Sequence, residues 1–242
     1  MMNIEQVKKY IDMQLYYYVA EYENWTVSNR NPVVGKFDDH NNWKTYDTCL
    51  WRDVDFETHR SCLEYGCGPA RNIVGFNRYF DRFDGVDLCQ RAVENARRWI
   101  EVNGCDQEKT KLYVNNGYDL SQIPDSSYDV VMSTIVLQHI CVHDIRSNLF
   151  KEFFRVLKPN GMITLQMSYG ARRNSFDYYE NFYDATTTNG CADVFVDNPS
   201  QLENDLLPLG FQDFRHYLTV PGPGDYSSHW IFFNATKPAS VA

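Results

Sequence analysis

Leu63-Glu64-Tyr65-Gly66-Cys67-Gly68-Pro69-Ala70-Arg71-Asn72 is the stretch on which the reading of this chain turns. A short apolar run from Ser61 to Tyr65 meets two glycines separated by one residue, and an amphipathic segment follows. Glycine adopts backbone conformations closed to other residues and lets a ligand approach the main chain closely. A strand that ends in such a turn and feeds a helix forms the entry to a ligand crevice in an open α/β sheet. About twenty residues on, Asp87 closes a second short run, Phe83-Asp87, where a carboxylate can accept hydrogen bonds from ribose hydroxyls.

Outward from this pair, short apolar runs alternate with amphipathic segments, the pattern of a parallel sheet with crossover helices. Strands are expected near Ser61-Tyr65, Phe83-Asp87, Lys111-Asn115, Tyr128-Ser133 and Gly161-Met167, and helices over Ile73-Phe80, Gln90-Asn103 and His143-Val156. The last helix stops at Lys158-Pro159-Asn160-Gly161, read as a turn before the fifth strand. Beyond it, Pro199-Leu209 reads as a helix closed by Gly210, and Phe211-Val220 and His229-Thr236 as two strands around Pro221-Gly222-Pro223-Gly224. Upstream, Asn3 to Asn24 reads as a helix with an apolar stripe of Ile4, Val7, Ile11, Leu15, Tyr18 and Tyr22. The expected fold is α/β, a Rossmann-like doubly wound sheet, mostly parallel with a C-terminal antiparallel strand. Helices cover both faces, under an N-terminal helical cap. Residues 1–242 read as one domain, divided into helix and cap (1–58), ligand-binding core (59–168), insertion (169–196), and C-terminal helix and hairpin (197–242).

Composition narrows the function. The formal net charge of -9 disfavours a nucleic-acid partner, since a protein that binds phosphates normally shows a basic face. The seven cysteines include no CxxC pair and are odd in number, against a zinc or disulfide framework and in favour of a reducing compartment. No apolar run is long enough to span a bilayer and the N-terminus has no apolar signal core, so a cytoplasmic protein without membrane partners is expected. Aromatics make up 15% of the chain, which suits a pocket or interface as well as a tyrosine-rich core.

Two ligands share the crevice layout, a dinucleotide and an adenosyl sulfonium. The dinucleotide fingerprint wants a third glycine where this chain has Arg71, and Pro69 removes an amide that a pyrophosphate would use. A sulfonium with an amino-acid end has no phosphate and suits an acidic residue at the loop entrance, which Glu64 supplies. S-adenosylmethionine (SAM) is favoured.

Read together, the motifs resemble class I SAM-dependent methyltransferases of the small-molecule type. Leu63-Glu64-Tyr65-Gly66-Cys67-Gly68 is similar to that family's first motif and Gly85-Val86-Asp87 to its second. Asn116-Gly117-Tyr118-Asp119-Leu120 with Pro124-Asp125-Ser126-Ser127-Tyr128-Asp129-Val130-Val131 resembles the segment that closes over adenine and enters the fourth strand. Ser133-Thr134-Ile135-Val136-Leu137-Gln138-His139-Ile140 and Phe154-Arg155-Val156-Leu157-Lys158-Pro159-Asn160-Gly161 are similar to the segments around the fourth and fifth strands. The resemblance covers roughly residues 60 to 168. It implies SAM as cofactor, S-adenosylhomocysteine as product, and a cofactor site drawn from Glu64, Gly66, Cys67, Gly68, Arg71, Asp87, Leu88, Asn116, Gly117, Tyr118, Ser133 and Gln138. Ala70 stands where the family often has glycine, and Asn116 or Gly117 where many members have an acid near adenine. Asp87 could also cap a helix, Glu64 could pair with Arg71 for structure alone, and Asn116 with Asp119 could only shape a turn.

Methyl transfer is an in-line displacement in which positioning dominates, and a hydroxyl acceptor must also lose a proton. His139, just past the fourth strand, is the expected general base; a pocket-lining or helix-capping role is its alternative. Acceptor contacts are expected from the additions to the core: Tyr18, Tyr22 and Trp25 near the N-terminus, then His143, Tyr169, Arg172 and Tyr178. Aromatics can stack on a sugar or surround an ammonium, and Arg172 can pair with an anion. The expected reaction is methylation of a small polar acceptor, first a hydroxyl of a sugar or related metabolite, alternatively a small amine. A non-catalytic SAM-binding regulator and a dinucleotide oxidoreductase are the rivals. No metal is expected.

Overall fold

The computed structural model of the protein describes residues 3–23, 46–170, 176–184, 194–221 and 227–239. Trp25, Arg172, most of the expected cap and the Pro221–Gly224 turn beyond Pro221 lie outside them. Seven strands form one sheet: β1 (Ser61–Tyr65), β2 (Arg82–Asp87), β3 (Leu112–Val114), β4 (Tyr128–Ser133), β5 (Leu157–Tyr169), β6 (Gln212–Thr219) and β7 (His229–Thr236). Their order is β3-β2-β1-β4-β5-β7-β6. β1 to β5 pair in parallel, and β7 runs antiparallel between β5 and β6. The Rossmann-like, mostly parallel sheet is the fold expected. Chain order reverses between β1 and β4, and a crevice opens at the C-terminal ends of strands at such a switch point.

Burial on both faces explains why the central strands are continuous apolar runs. All five residues of β1 are buried. Leu63 and Tyr65 pack into one core with helices α4 (His143–Val156) and α5 (Ser200–Leu206). Cys62, Val130 and Met132 pack into the other, beside α2 (Arg71–Phe76) and α3 (Gln90–Val102). Trp51 anchors that second core, its ring 5.1 Å from Phe76 and 5.6 Å from Phe80. Part of the aromatic enrichment is therefore core packing.

Three local readings are corrected by the fold. The helix after β1 begins at Arg71 and tightens into a 3₁₀ turn at Asn77–Tyr79, instead of running from Ile73 to Phe80. The Lys158–Gly161 turn lies inside β5 as a bulge: Tyr128 pairs with Leu157 but Val130 with Met162, and Asn160 adopts a φ of 64°. Its ends stay in the sheet because Asn160 and Gly161 exchange backbone hydrogen bonds with Lys237. Helix α1 (Ile4–Glu23) buries Val7, Tyr10, Gln14 and Tyr22, whereas Ile4 of the expected stripe is exposed. The shift has a cause. α1 lies across the crevice mouth, so its inner face carries polar groups that an apolar pattern does not register.

Candidate active site

The turn after β1 folds back over the end of β2, where the Val86 carbonyl accepts from the amides of Gly66 (2.8 Å) and Cys67 (3.1 Å). Gly66 has a φ of 71°, and a Cβ there would meet Val136 at 2.4 Å. Gly68 has a φ of 51°. Ala70 is held at 65°, in the left-handed region, so the position that resembles a family glycine keeps a glycine's conformation at a cost of roughly 1 kcal/mol. Cys67 fills the space over Gly85, where a Cβ would meet its Sγ at 2.8 Å. This fits a packing role for the thiol, which burial holds protonated.

The carboxylate of Asp87 is clasped by two amides. Oδ2 accepts from Gly68 at 2.9 Å and Oδ1 from Cys89 at 2.8 Å. Burial raises its pKa, and the amides of Cys89, Gly68 and Leu88 work against that rise. A carboxylate offers about four acceptor sites, so beside these amides room remains for a ribose hydroxyl. Glu64, 2% exposed, holds one oxygen against Asn72, whose amide donates at 2.5 Å. The same amide reaches Thr134 at 3.1 Å. The second oxygen, Oε2, is buried with no hydrogen-bond partner, and burial pushes the Glu64 carboxyl up to about 8. A buried acceptor without a donor is costly, which marks a place for a ligand cation or donor.

Opposite the glycine turn, the segment after β4 contributes Thr134, Ile135, Val136, His139 and Ile140 to the wall. Ile135 has a φ of 56°, rare for a β-branched residue, and its amide donates to the buried Gln166 side chain at 2.7 Å. α1 closes the other side with Tyr10, Ile11, Gln14, Tyr18 and Tyr22.

The cleft gathers Glu64, Gly66, Cys67, Gly68, Arg71, Asp87, Leu88 and Gly117 of the expected cofactor residues, with His139, Tyr18 and Tyr22. Four expected cofactor residues do not line it. Asn116 is exposed and its side chain accepts from the amides of Tyr118 (3.1 Å) and Asp119 (2.9 Å), shaping the turn that presents Gly117. The Tyr118 carbonyl accepts from Asn148. Ser133 donates to the Tyr65 carbonyl and ties β4 to β1, and Gln138 bonds Gln166.

Three expected acceptor residues sit elsewhere. His143 and Tyr178 share the Asp205 carboxylate of α5, at 3.0 and 2.7 Å. The buried Arg146 donates to the carbonyls of Ile140 and Tyr178 beneath them. Tyr169 pairs with His229 at the end of β5. Sequence reasoning did not pick out Tyr10, Gln14, Asn72, Thr134 or Ile135. Asn72 alone carried a signal, lying eight residues after Glu64 on the first turn of α2.

The cleft fits a SAM-type ligand: a buried acid with one oxygen unpartnered, an acid clasped by amides, and glycine backbone at Gly66 and Gly68. Residues 63–165 match the model of the methyltransferase-domain family, so this stretch is similar to methyltransferase domains. An uncharacterised protein of Haemophilus influenzae is 33% identical over 109 residues, 45% of this chain and 42% of that protein. The demethylmenaquinone methyltransferase of Leptospira interrogans is 25% identical over 156 residues, 60% of this chain and 61% of that enzyme. The matched stretches thus span less than two thirds of either relative. Phosphoethanolamine N-methyltransferase 2 of Haemonchus contortus, solved with phosphomonomethylethanolamine and S-adenosylhomocysteine, superposes with a TM-score of 0.65 at 17% identity. That superposition covers 96% of this chain and 60% of the nematode enzyme, and at this identity it shows the shared fold.

Proposed function

We propose that the protein is an enzyme that transfers the methyl group of SAM to a small polar acceptor. The observation that carries this reading is that Glu64, one of whose oxygens is buried without a partner, lines the same cleft as the amide-clasped Asp87. In this reading Glu64 receives the ammonium of the cofactor, Gly66 and Gly68 admit its body against the main chain, and Asp87 holds its ribose. The cofactor supplies an electrophilic methyl group. Positioning and exclusion of water by α1 and the post-β4 wall account for most of the protein's contribution.

A hydroxyl acceptor, as on a sugar or related metabolite, is the first choice. His139 lines the cleft at 9% exposure, and its imidazole takes the hydroxyl proton in this reading. The alternative is a small amine, favoured by the Tyr10, Tyr18 and Tyr22 side chains on the lining, since aromatic faces stabilise a cation and no strong base is needed. Calorimetry with S-adenosylhomocysteine tests the cofactor reading, and NADH in its place should give no heat. Turnover with a panel of sugars, phenols and amines tests the acceptor. Cofactor binding without product from any of these would favour the non-catalytic regulator.

A further inference from the structure

Tyr10, Gln14, Tyr18 and Tyr22 recur at four-residue spacing along α1, and all four line the cleft. Twelve residues of helix reach about 18 Å, and the two ends are tied to different parts of the site. At one end the Tyr10 hydroxyl donates to the His139 carbonyl (3.2 Å) and accepts from the Cys141 amide (2.8 Å), pinning α1 to the wall that carries the base. At the other end Asn95 of α3 donates to the Tyr22 carbonyl at 3.1 Å. The Tyr22 hydroxyl stands over Gly68: a Cβ on that glycine would meet it at 3.1 Å and, among the described residues beyond its chain neighbours, nothing else within 4 Å. Burial and the neighbouring Asp87 carboxylate keep this hydroxyl protonated, so it is available as a donor.

Between these ties the apolar residues of α1, Ile11, Met13, Leu15 and Val19, are only half-buried against the flanking cores. Of its twenty residues only Val7, Tyr10, Gln14 and Tyr22 are buried; the last three line the cleft, Tyr10 and Tyr22 also packing against the cores beside it. An element with so few fully buried residues opens at lower free-energy cost than the core, and a ligand beneath it buries more of its surface.

We propose that α1 is a closure over the bound cofactor, and that Tyr22 is a cofactor-binding residue holding the ribose against Gly68 and Asp87. The proposal rests on the SAM reading of the cleft and assigns Tyr22 to the cofactor end, not to the acceptor. It also orders the reaction: the cofactor loads before α1 seats, and the acceptor meets the site at the Tyr10 and His139 end.

S-adenosylhomocysteine is the probe. In wild-type protein it should slow amide hydrogen exchange in α1 about tenfold or more. Tyr22→Phe should bind it about three- to tenfold more weakly, the loss of one hydrogen bond. Tyr22→Leu should bind more weakly still and lose the protection of α1 while keeping that of residues 61–68. Tight binding with unchanged α1 exchange, or wild-type affinity in both variants, overturns the proposal and leaves the cofactor assignment standing. No binding by the wild-type protein overturns both.

Discussion

The amide of Gly68 donates to Oδ2 of Asp87 at 2.9 Å across nineteen residues of chain, making the glycine turn of β1 and the acid of β2 one hydrogen-bonded unit. The acid therefore orients the turn, and the turn orients the acid. With Cys89 on the other oxygen, the carboxylate has no freedom to rotate away.

Replacing this acid should damage binding and fold together. Asp87→Ala leaves the buried Gly68 and Cys89 amides without acceptors and removes charge-assisted bonds to ribose, each worth about 1.5–3 kcal/mol. Affinity for S-adenosylhomocysteine should fall about ten- to a hundredfold by calorimetry. The melting temperature should drop by several degrees. Wild-type affinity in this variant would contradict the ribose assignment.

Glu64 should couple cofactor binding to protons. In the ligand-free protein its carboxyl is lifted from 4.5 to about 8 by burial, so it is largely protonated near neutral pH. An ammonium against Oε2 favours the ionised form, so binding expels a proton. Affinity should rise with pH toward about 8 and then level off. Arg71 and Asp87 are the charged groups that act on it, in opposite directions. Calorimetry at neutral pH in buffers of different ionisation enthalpy counts the proton, and Glu64→Gln should release none. Because the native carboxyl holds its proton more tightly than the unfolded one, this residue also makes the fold lose stability as pH rises from 4.5 to about 8.

Gly66→Ala should be costly in a way that Gly104→Ala is not. Both have positive φ, 71° and 65°, but the new methyl at 66 would meet Val136 at 2.4 Å while that at 104 has nothing within 4 Å. The second change should cost about 1 kcal/mol, the backbone penalty alone. The first adds overpacking of about 1–3 kcal/mol, seen in chemical denaturation, and displaces the post-β4 wall.

His139→Gln separates the two acceptor readings. If the imidazole removes a proton from a hydroxyl, turnover should fall about 10²–10⁴-fold while S-adenosylhomocysteine still binds. A fall of less than tenfold on the preferred substrate would favour the amine.

Much of this site was legible before folding because its signals are local. Glycines at 66 and 68, an acid before them and an acid at the end of the next strand are dictated by what a backbone turn and a strand end can present. The central strands announce themselves because a strand buried on both faces must be apolar throughout. Asn116 and His143 show where local reading stops: one satisfies its own turn, and the other finds Asp205 sixty-two residues away. No pattern along the chain encodes that choice.

The sequence by itself determined the parallel α/β core and the Glu64, Gly66, Gly68 and Asp87 constellation, since each follows from residue type and spacing along one strand-turn-helix unit. Only the tertiary structure decided that Tyr10 and Gln14 join Tyr22 on the crevice face of α1, and that Tyr178 and His143 share Asp205 instead. The physical reason is that the rotation of a helix about its axis is set by what lies beneath it. Beneath α1 lies a cleft assembled from strands of which the first begins only at Ser61, well beyond the end of the helix at Glu23.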